Sequence, residues 1–407
     1  MIKNQYLHIF FRYNSSMYKK IIHADLFTPY EHLLDQTIEL KDGKIHAIFP
    51  SSVKISANAE NHKEGTLDAR GLMIAPGLID IHIHGCMGAD TMDANQESLS
   101  KMSIFLGSHG ITSFLATTVT NSQKNIQAAL SAIARFQNDL PGARLLGAHI
   151  EGPYINIAYK GAQNPQFFRG PHEGEYREWI ESGTVKLITI APELDGMDKF
   201  IEFCTSHDIE LAIGHSQANY DQVIHAANLG VRQATHLFNG MLGLHHREPG
   251  TVGAILTDER IYAQIITDGI HLHPAIVKLA IAAKGVEKTI LISDAMRATG
   301  LENGKYDLGG QEVTVVDGEA RIANGALAGS TLTLDAAVRN TMCFSNLDFQ
   351  HVLPMATSVP AKALRIDHRK GSIQAGHDAD LTFFDENYQV AATMVRGELI
   401  FHSREFE

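Results

Sequence analysis

The chain has 407 residues, 44% of them hydrophobic and 20% charged, which is an ordinary composition for a globular protein. Its 34 lysines and arginines against 46 aspartates and glutamates give a formal net charge of −12, which argues against a broad nucleic-acid-binding surface. The three cysteines form no CxxC pair or disulfide framework and favour a reducing cytoplasm, and no run approaches the roughly 18 apolar residues of a membrane span.

The first part of the chain, residues 18–70, consists of short alternating runs such as KIIHADLF and TIELKDGKIHAIF. Turn residues such as Asp42 and Gly43 separate these runs, a pattern that predicts a small antiparallel sheet. Residues 1–16 precede a more typical opening at Met17, so they are interpreted as an extension or a misassigned start, and whether they are native sequence stays open. Their apolar part is too short for a secretory signal.

From Leu72 onward, short apolar runs alternate with longer helical stretches. There are eight such runs: LMIAPGLIDIHIH, TSFLATT, RLLGAHI, VKLITI, IELAIGH, RQATHL, YAQIITD and TILISD. Eight strands that alternate with helices predict an α/β fold, a (β/α)8 TIM barrel of about 250 residues. The tail GSIQAGHDADLTFFDENYQVAATMVRGELIF alternates again, as strands do.

These patterns predict a barrel with a small β-sandwich domain formed by the N- and C-terminal segments. Residues 1–70 are expected to form the N-terminal part of this sandwich, and residues 366–407 its C-terminal part. Residues 71–365 are expected to form the catalytic barrel.

A histidine pair ends the first predicted barrel strand, in the sequence DIHIHG. His82 and His84 are two residues apart on a strand, so they share a face and point into the barrel mouth. Neutral imidazoles are common ligands of zinc and iron. Such a pair on its own is weak evidence for a metal site.

Four further polar residues end predicted barrel strands, where the catalytic residues of such barrels gather. Any one of them, taken alone, is equally explained as a partner of a neighbouring loop. Six such side chains on one rim predict a metal-dependent site. The four are Glu151 in LLGAHIE, His215 in LAIGH, His236 in QATH and Asp294 in ILISD.

A series of sequence motifs restricts the predicted function further. The segments APGLIDIHIHG, GAHIEGPYIN, KGAQNP, GHSQA, ATHLFNGM, REPG, ITDGIH, SDAM and LAGSTLT resemble those of the N-acetylglucosamine-6-phosphate deacetylases, within the amidohydrolase superfamily. The resemblance runs from about Gly71 to the end of the chain. It implies a hydrolase of a linear amide (EC 3.5.1.25) that acts in amino-sugar catabolism and releases acetate and D-glucosamine 6-phosphate.

The resemblance also implies a set of metal ligands. Glu151, His215 and His236 are the implied ligands of the principal metal, and family members that keep the histidine pair hold a second metal with it. Oxygen and imidazole ligands are compatible with several divalent metals. Zinc or iron is expected first, with manganese or cobalt as alternatives. The expectation is therefore one or two divalent ions per subunit.

Asp294 is implied as the acid/base group and as a further metal ligand. A metal lowers the pKa of a bound water towards 7, which produces the attacking hydroxide. A carboxylate beside it can accept the proton and later return it to the leaving amine.

The implied substrate contacts are more dispersed along the chain. The resemblance implies that the phosphate is contacted by Asn239, the backbone of Gly240 and Arg247. It implies a further substrate contact for His271 and a position in the wall of the sugar pocket for Leu327. Gln163 stands where some members carry a histidine that polarises the acetyl carbonyl. Arg247 as a salt-bridge partner in a loop and His271 as a helix-start residue remain alternatives. Family members supply some contacts across a dimer interface, so a homodimer is expected.

Two other functions remain open at this stage. The first is the same chemistry on another phosphorylated amino sugar, such as N-acetylgalactosamine 6-phosphate. The second is a catalytically inactive relative with a structural role, although such relatives usually lose metal ligands. The expected partner is a small-molecule substrate, a phosphorylated N-acetyl amino sugar, with no nucleic acid and no membrane.

Overall fold

The structure, a computed structural model, describes residues 18–53 and 65–403. Residues 1–16, for which it is open whether they are native sequence, lie outside the described residues. The described residues form 21 strands, which are β1 (Lys20–Phe27), β2 (His32–Lys41), β3 (Lys44–Pro50), β4 (Thr66–Asp68), β5 (Met73–Pro76), β6 (Leu78–Ile83), β7 (Gly85–Cys86), β8 (Ala89–Asp90), β9 (Ile111–Thr118), β10 (Arg144–Glu151), β11 (Val185–Ile190), β12 (Glu210–Ile213), β13 (Gln233–Ala234), β14 (Tyr262–Ile265), β15 (Thr289–Leu291), β16 (Gly304–Leu308), β17 (Gln311–Val316), β18 (Glu319–Ile322), β19 (Leu381–Phe384), β20 (Val390–Val395) and β21 (Glu398–His402).

Ten α-helices are present in the same residues, none of them long and apolar enough to cross a membrane. They are α1 (Gln96–Ser108), α2 (Gln123–Phe136), α3 (Glu173–Glu181), α4 (Met197–Ser206), α5 (Tyr220–Leu229), α6 (Gly250–Thr257), α7 (Pro274–Lys284), α8 (Leu334–Ser345), α9 (Phe349–Val352) and α10 (Ser358–Ala363). Short 3-10 helices span Thr91–Asp93, Ile157–Tyr159, Pro165–Phe167, Val286–Lys288 and Leu353–Ala356.

Eight strands form a parallel barrel in the order β6-β9-β10-β11-β12-β13-β14-β15, and a helix follows each strand before the next one begins. The first and last strands meet at their carboxyl ends, where Ile83, the last residue of β6, pairs with Ala295, which follows β15, in a parallel bridge. The Asp294 amide also donates to the carbonyl of His82 at 2.9 Å. The predicted (β/α)8 barrel is therefore confirmed.

Local sequence explains the alternation of strands and helices. Helix α2 begins where the Ser122 side chain accepts a hydrogen bond from the Asn125 amide, and its buried face is built on Ile126, Leu130 and Ile133. Strand β9, in contrast, is buried along its whole length, as expected of a barrel strand covered on both faces.

A second eight-stranded sheet joins the two ends of the chain. Its order is β21-β20-β19-β5-β1-β2-β3, with β4 paired to β1. It encloses its own hydrophobic core, to which Ile21, Ile38, Ile74 and Phe383 contribute. Strand β5 belongs to this sheet and leads into β6, the first barrel strand, through Gly77. The domain boundaries at residues 70 and 365 stay a prediction.

A three-stranded antiparallel sheet, β16-β17-β18, is inserted between β15 and α8. Its apolar face packs with Val119 and Met296, which follow barrel strands β9 and β15. The Gln311 side chain in β17 donates a hydrogen bond to the carbonyl of Ala162, in the loop after β10. The insertion therefore covers part of the barrel rim at the carboxyl ends of the strands.

Candidate active site

The six side chains predicted as metal ligands lie together at the carboxyl rim of the barrel, and all are buried. They come from, or directly follow, strands β6, β10, β12, β13 and β15. Three of them have left-handed backbone angles, with φ of 48° at His215, 32° at His236 and 48° at Asp294. Such angles are unfavourable for residues other than glycine, and they cluster at functional sites, where surrounding structure holds them.

The first group of ligands consists of His82, His84 and Asp294. The two imidazoles approach each other with their Nε2 atoms 3.4 Å apart. The Asp294 Oδ1 atom lies 3.3 Å from Nε2 of His82 and 3.2 Å from Nε2 of His84. Three donor atoms therefore surround one small space.

The second group consists of Glu151, His215 and His236. The Glu151 Oε1 atom lies 3.3 Å from Nε2 of His215 and 3.0 Å from Nε2 of His236. Glu151 also reaches the first group, because its Oε2 atom lies 3.4 Å from Nε2 of His84 and its Oε1 atom 3.6 Å from Nε2 of His82. Glu151 therefore belongs to the second group and also contacts the first.

Backbone carbonyls fix the orientation of three of these histidines. The Nδ1 atom of His215 is 2.8 Å from the carbonyl of Tyr159, and that of His236 is 3.1 Å from the carbonyl of Asn239. His84 Nδ1 is 3.3 Å from a backbone carbonyl as well. A carbonyl can only accept, so in the neutral ring Nδ1 carries the proton and Nε2 directs its lone pair into the site.

The electrostatics of the site favour a positive charge on His84 and negative charges on the two carboxylates. Burial lowers the pKa of His84, but its contacts with Asp294 and Glu151 outweigh burial and leave this pKa well above its usual range. Burial raises the pKa of Glu151, yet the surrounding histidines hold it well below its usual range, and His82 and His84 likewise lower the pKa of Asp294. Both carboxylates are therefore ionised at neutral pH.

Two buried side chains beneath the ligands were missed by the sequence analysis. His149 packs edge-on against His82, with ring centroids 4.6 Å apart, and its Nε2 lies 2.8 Å from Thr189 Oγ1. Asp80 accepts a hydrogen bond from the His82 amide at 3.2 Å. Both lie two residues before a ligand on the same strand, so alternation could have placed them on the ligand face.

A cavity of about 350 Å³ is lined by five of the six predicted metal ligands, which are His84, Glu151, His215, His236 and Asp294. Five of the six residues predicted to bind substrate line it: Gln163, Asn239, Gly240, His271 and Leu327. Gln163 donates from Nε2 to Glu151 Oε2 at 2.6 Å and accepts from the Thr120 amide at 2.8 Å. It therefore holds the central carboxylate from the cavity side.

Arg247 lies elsewhere. It is exposed and is absent from the lining of this cavity, and its Nη1 atom is 2.6 Å from Nε2 of His246. The loop that carries it, residues 243–248, projects into solvent, with Leu244 also exposed. Its role in phosphate binding stays a prediction, because Arg247 does not line the cavity of its own chain.

Two charged residues near the cavity were not predicted. Asp268 Oδ2 lies 2.7 Å from Nδ1 of His271, and Oδ1 accepts from the amides of Ile270 and His271 at 2.8 Å each. Asp268 is the aspartate of the motif ITDGIH, so its spacing of three residues from His271 could have predicted this contact. Arg321 in β18 also lines the cavity, and no local sequence signal indicates this.

The two ligand groups fit metal ions on the chemistry of their donors. Within each group the donor atoms lie within 4.8 Å of one another. Imidazole lone pairs and carboxylate oxygens that converge in this way repel each other unless a proton or a metal ion lies between them, and donors of this kind are those that bind zinc and similar metals. A parallel barrel that gathers such ligands at its carboxyl rim is the architecture of a metal-dependent hydrolase.

Residues 73–400 match the amidohydrolase family. The chain therefore belongs to the amidohydrolase family, in the branch of the N-acetylglucosamine-6-phosphate deacetylases, and it is a metal-dependent hydrolase that acts on amide bonds. The resemblance seen in the sequence is thus confirmed.

Three similar proteins illustrate this assignment to the family. The N-acetylglucosamine-6-phosphate deacetylase of Bacillus subtilis is 38% identical over 93% of this chain and 96% of its own length. The N-acetylgalactosamine-6-phosphate deacetylase of Escherichia coli O157:H7 is 37% identical over 92% of this chain and 97% of its own length. A solved structure of an aspartate-to-alanine variant of the Mycobacterium smegmatis N-acetyl-D-glucosamine-6-phosphate deacetylase, in complex with that sugar phosphate, is 31% identical. It aligns with a TM-score of 0.86 over 94% of this chain and 98% of its own.

Proposed function

We propose that this chain hydrolyses N-acetyl-D-glucosamine 6-phosphate to D-glucosamine 6-phosphate and acetate. The observation that carries the proposal is Glu151, which belongs to one buried group of predicted ligands and contacts the other at the floor of a cavity of about 350 Å³. The cavity walls include polar side chains suited to a sugar phosphate. Relatives that match most of the chain are named for activity on such substrates.

Two metal ions are part of the proposal, with zinc or iron first and manganese or cobalt as alternatives. When bound, such ions polarise the acetyl carbonyl and lower the pKa of water. The proposed holders of one ion are Glu151, His215 and His236, and those of the other are His82, His84 and Asp294.

The protein's own residues then carry the proton and orient the site. Asp294, ionised and buried, accepts a proton from the attacking water as the water oxygen bonds to the acetyl carbon. The C–N bond breaks as Asp294 returns this proton to the amine nitrogen. The acetyl group leaves with the water oxygen as acetic acid, which releases the second proton of the water and becomes acetate. Gln163 keeps Glu151 in place through its 2.6 Å hydrogen bond.

A homodimer in the cytoplasm completes the proposal. Arg247 is exposed and does not line the cavity of its own chain, which is compatible with a contact supplied across a dimer interface. Cys86, Cys204 and Cys343 are free, as expected in a reducing compartment. Both features stay predictions until the oligomeric state and location are measured.

The deciding experiment is a coupled deacetylation assay of metal-replete protein on two sugars, the gluco and galacto epimers of the N-acetylated 6-phosphate. The galacto epimer is included because one relative at 37% identity carries that activity in its name. We expect preference for the gluco epimer, together with stoichiometric bound metal. Preference for the galacto epimer would replace the proposed substrate, and activity on neither sugar would refute the proposed reaction.

Replacing Arg247 with alanine is expected to weaken the interaction with the phosphorylated substrate by about 1.5–3 kcal/mol, the usual range for a hydrogen bond to a charged group. The unphosphorylated sugar, which lacks the anion, should change little. The measurement is kcat/KM on both sugars for wild type and variant. Equal losses on the two sugars would instead indicate a structural role in the loop at residues 243–248.

Replacing Asp268 with asparagine is expected to raise KM for the phosphorylated substrate by about threefold to tenfold, with a smaller change in kcat. The carboxylate orients His271 so that Nε2 remains available to the cavity, and a neutral amide holds the ring less strongly. Asp258→Asn is the matched control, because Asp258 caps its own turn and pairs with Arg260 outside the cavity lining. An unchanged KM in Asp268→Asn would remove this residue from substrate binding.

A further inference from the structure

Arg321 is the one lysine or arginine among the described residues that line the cavity. It lies in β18, the last strand of the sheet that covers part of the barrel rim. Its backbone pairs in an antiparallel bridge with Leu327, the residue predicted to line the sugar pocket. Arg321 is therefore placed beside the sugar part of the cavity.

The guanidinium is held by its own sheet. Its Nε and Nη2 atoms each lie 2.8 Å from Oε2 of Glu319, and Nη1 donates to the carbonyl of Gly325 at 2.7 Å. A guanidinium has five N–H groups, and three are used here, so Nη1 and Nη2 each keep one for a ligand. The side chain is 44% exposed, so a ligand in the cavity can reach these groups.

The charge of this pair indicates which part of the substrate it suits. Glu319 neutralises the guanidinium, and its carboxylate would repel a nearby phosphate dianion. A neutral hydroxyl accepts a hydrogen bond from the same N–H groups without that repulsion. The pair therefore favours hydroxyl recognition, which agrees with the position of Arg321 opposite Leu327.

We propose that Arg321 contacts the substrate, donates a hydrogen bond to a hydroxyl of the sugar ring and contributes to discrimination between the gluco and galacto epimers. This inference rests on the proposed function, because it takes an N-acetylated sugar 6-phosphate as the occupant of the cavity. It assigns to the β16-β18 sheet a direct part in specificity.

The test compares Arg321→Ala and Arg321→Lys with wild type in steady-state assays on both epimers. Arg321→Ala should raise KM for the preferred epimer by about threefold to thirtyfold, with kcat changed less than about threefold. The ratio of kcat/KM between the epimers should shift by at least about threefold. Arg321→Lys should fall between wild type and alanine, because it keeps the charge and loses the planar fork.

Arg70→Ala is the control, since Arg70 also pairs with a carboxylate two residues earlier, Asp68, but lies outside the cavity lining. It should leave KM and the epimer ratio unchanged. Circular dichroism and thermal unfolding establish that each variant is folded, and if Arg321→Ala is not folded, Arg321→Lys is judged by the same criteria.

Two results would overturn the inference while the proposed function stands. One is an active wild type whose folded Arg321 variants keep KM and the epimer ratio. The other is a loss seen with phosphorylated but not with unphosphorylated sugars, which would assign Arg321 to the phosphate. A wild type inactive on both epimers would overturn the proposed function, and this inference with it.

Discussion

Replacing Asp294 with asparagine is expected to lower kcat by about 10²–10⁴-fold, the usual contribution of a general acid–base group. The carboxylate is buried, and His82 and His84 hold its pKa below its ordinary value, so at neutral pH it is ready to accept a proton. An amide of the same shape cannot do so. The flanking residues Ser293 and Ala295 offer no other acid or base.

The measurement is steady-state kinetics together with metal analysis of the same preparation. KM and most of the bound metal should be retained, because asparagine keeps one oxygen ligand. Asp198→Asn is a suitable control, since Asp198 also contacts a histidine, His225, but on the exposed surface of α4. A kcat within tenfold of wild type in Asp294→Asn would exclude Asp294 from proton transfer.

The second large effect concerns the histidine pair. Wild-type protein prepared with excess metal is expected to bind two ions per subunit, and the double variant His82→Asn, His84→Gln about one. Activity should fall sharply, because the remaining neutral donor at the carbonyl, Gln163, cannot replace a Lewis acid. Metal content per subunit, measured by elemental analysis, is the primary readout and does not depend on turnover.

The position of Glu151 is the physical reason to expect two ions. Its Oε1 atom is close to His215 and His236, and its Oε2 atom is close to His84. Two cations this close together need a shared anion to offset their repulsion. Losing the histidine pair removes one side of this arrangement and leaves the other, since Nδ1 of His215 and of His236 keep their carbonyl partners.

A third substitution tests the role of the neighbouring amide. Adding Gln163→His to the double variant should restore part of the activity, because a protonated imidazole at this position can polarise the carbonyl. Gln163→His in wild type is the matched control and should bring no gain. The two-metal interpretation is wrong if saturated wild type binds one ion, or if loss of both histidines leaves turnover unchanged.

The sequence by itself determined the barrel and the place of the six predicted ligands on its rim. The eight apolar runs had the length and spacing typical of parallel strands with intervening helices, and each predicted ligand stood at the end of such a run. Because the carboxyl ends of parallel strands share one rim, position along the chain was sufficient to bring Glu151, His215 and His236 together. Strand alternation did the same for His82 and His84.

Only the tertiary structure decided which charged side chains meet the substrate cavity. Arg247 matched a phosphate-binding motif, yet its loop projects into solvent, whereas Arg321 matched none and lines the cavity. The reason is that an inserted sheet is placed by apolar packing on Met296, which precedes the sheet, and on Val119, which is far from β18 in sequence. Local periodicity fixes which face of such a strand is apolar, but the partner that this face packs against is set by long-range packing.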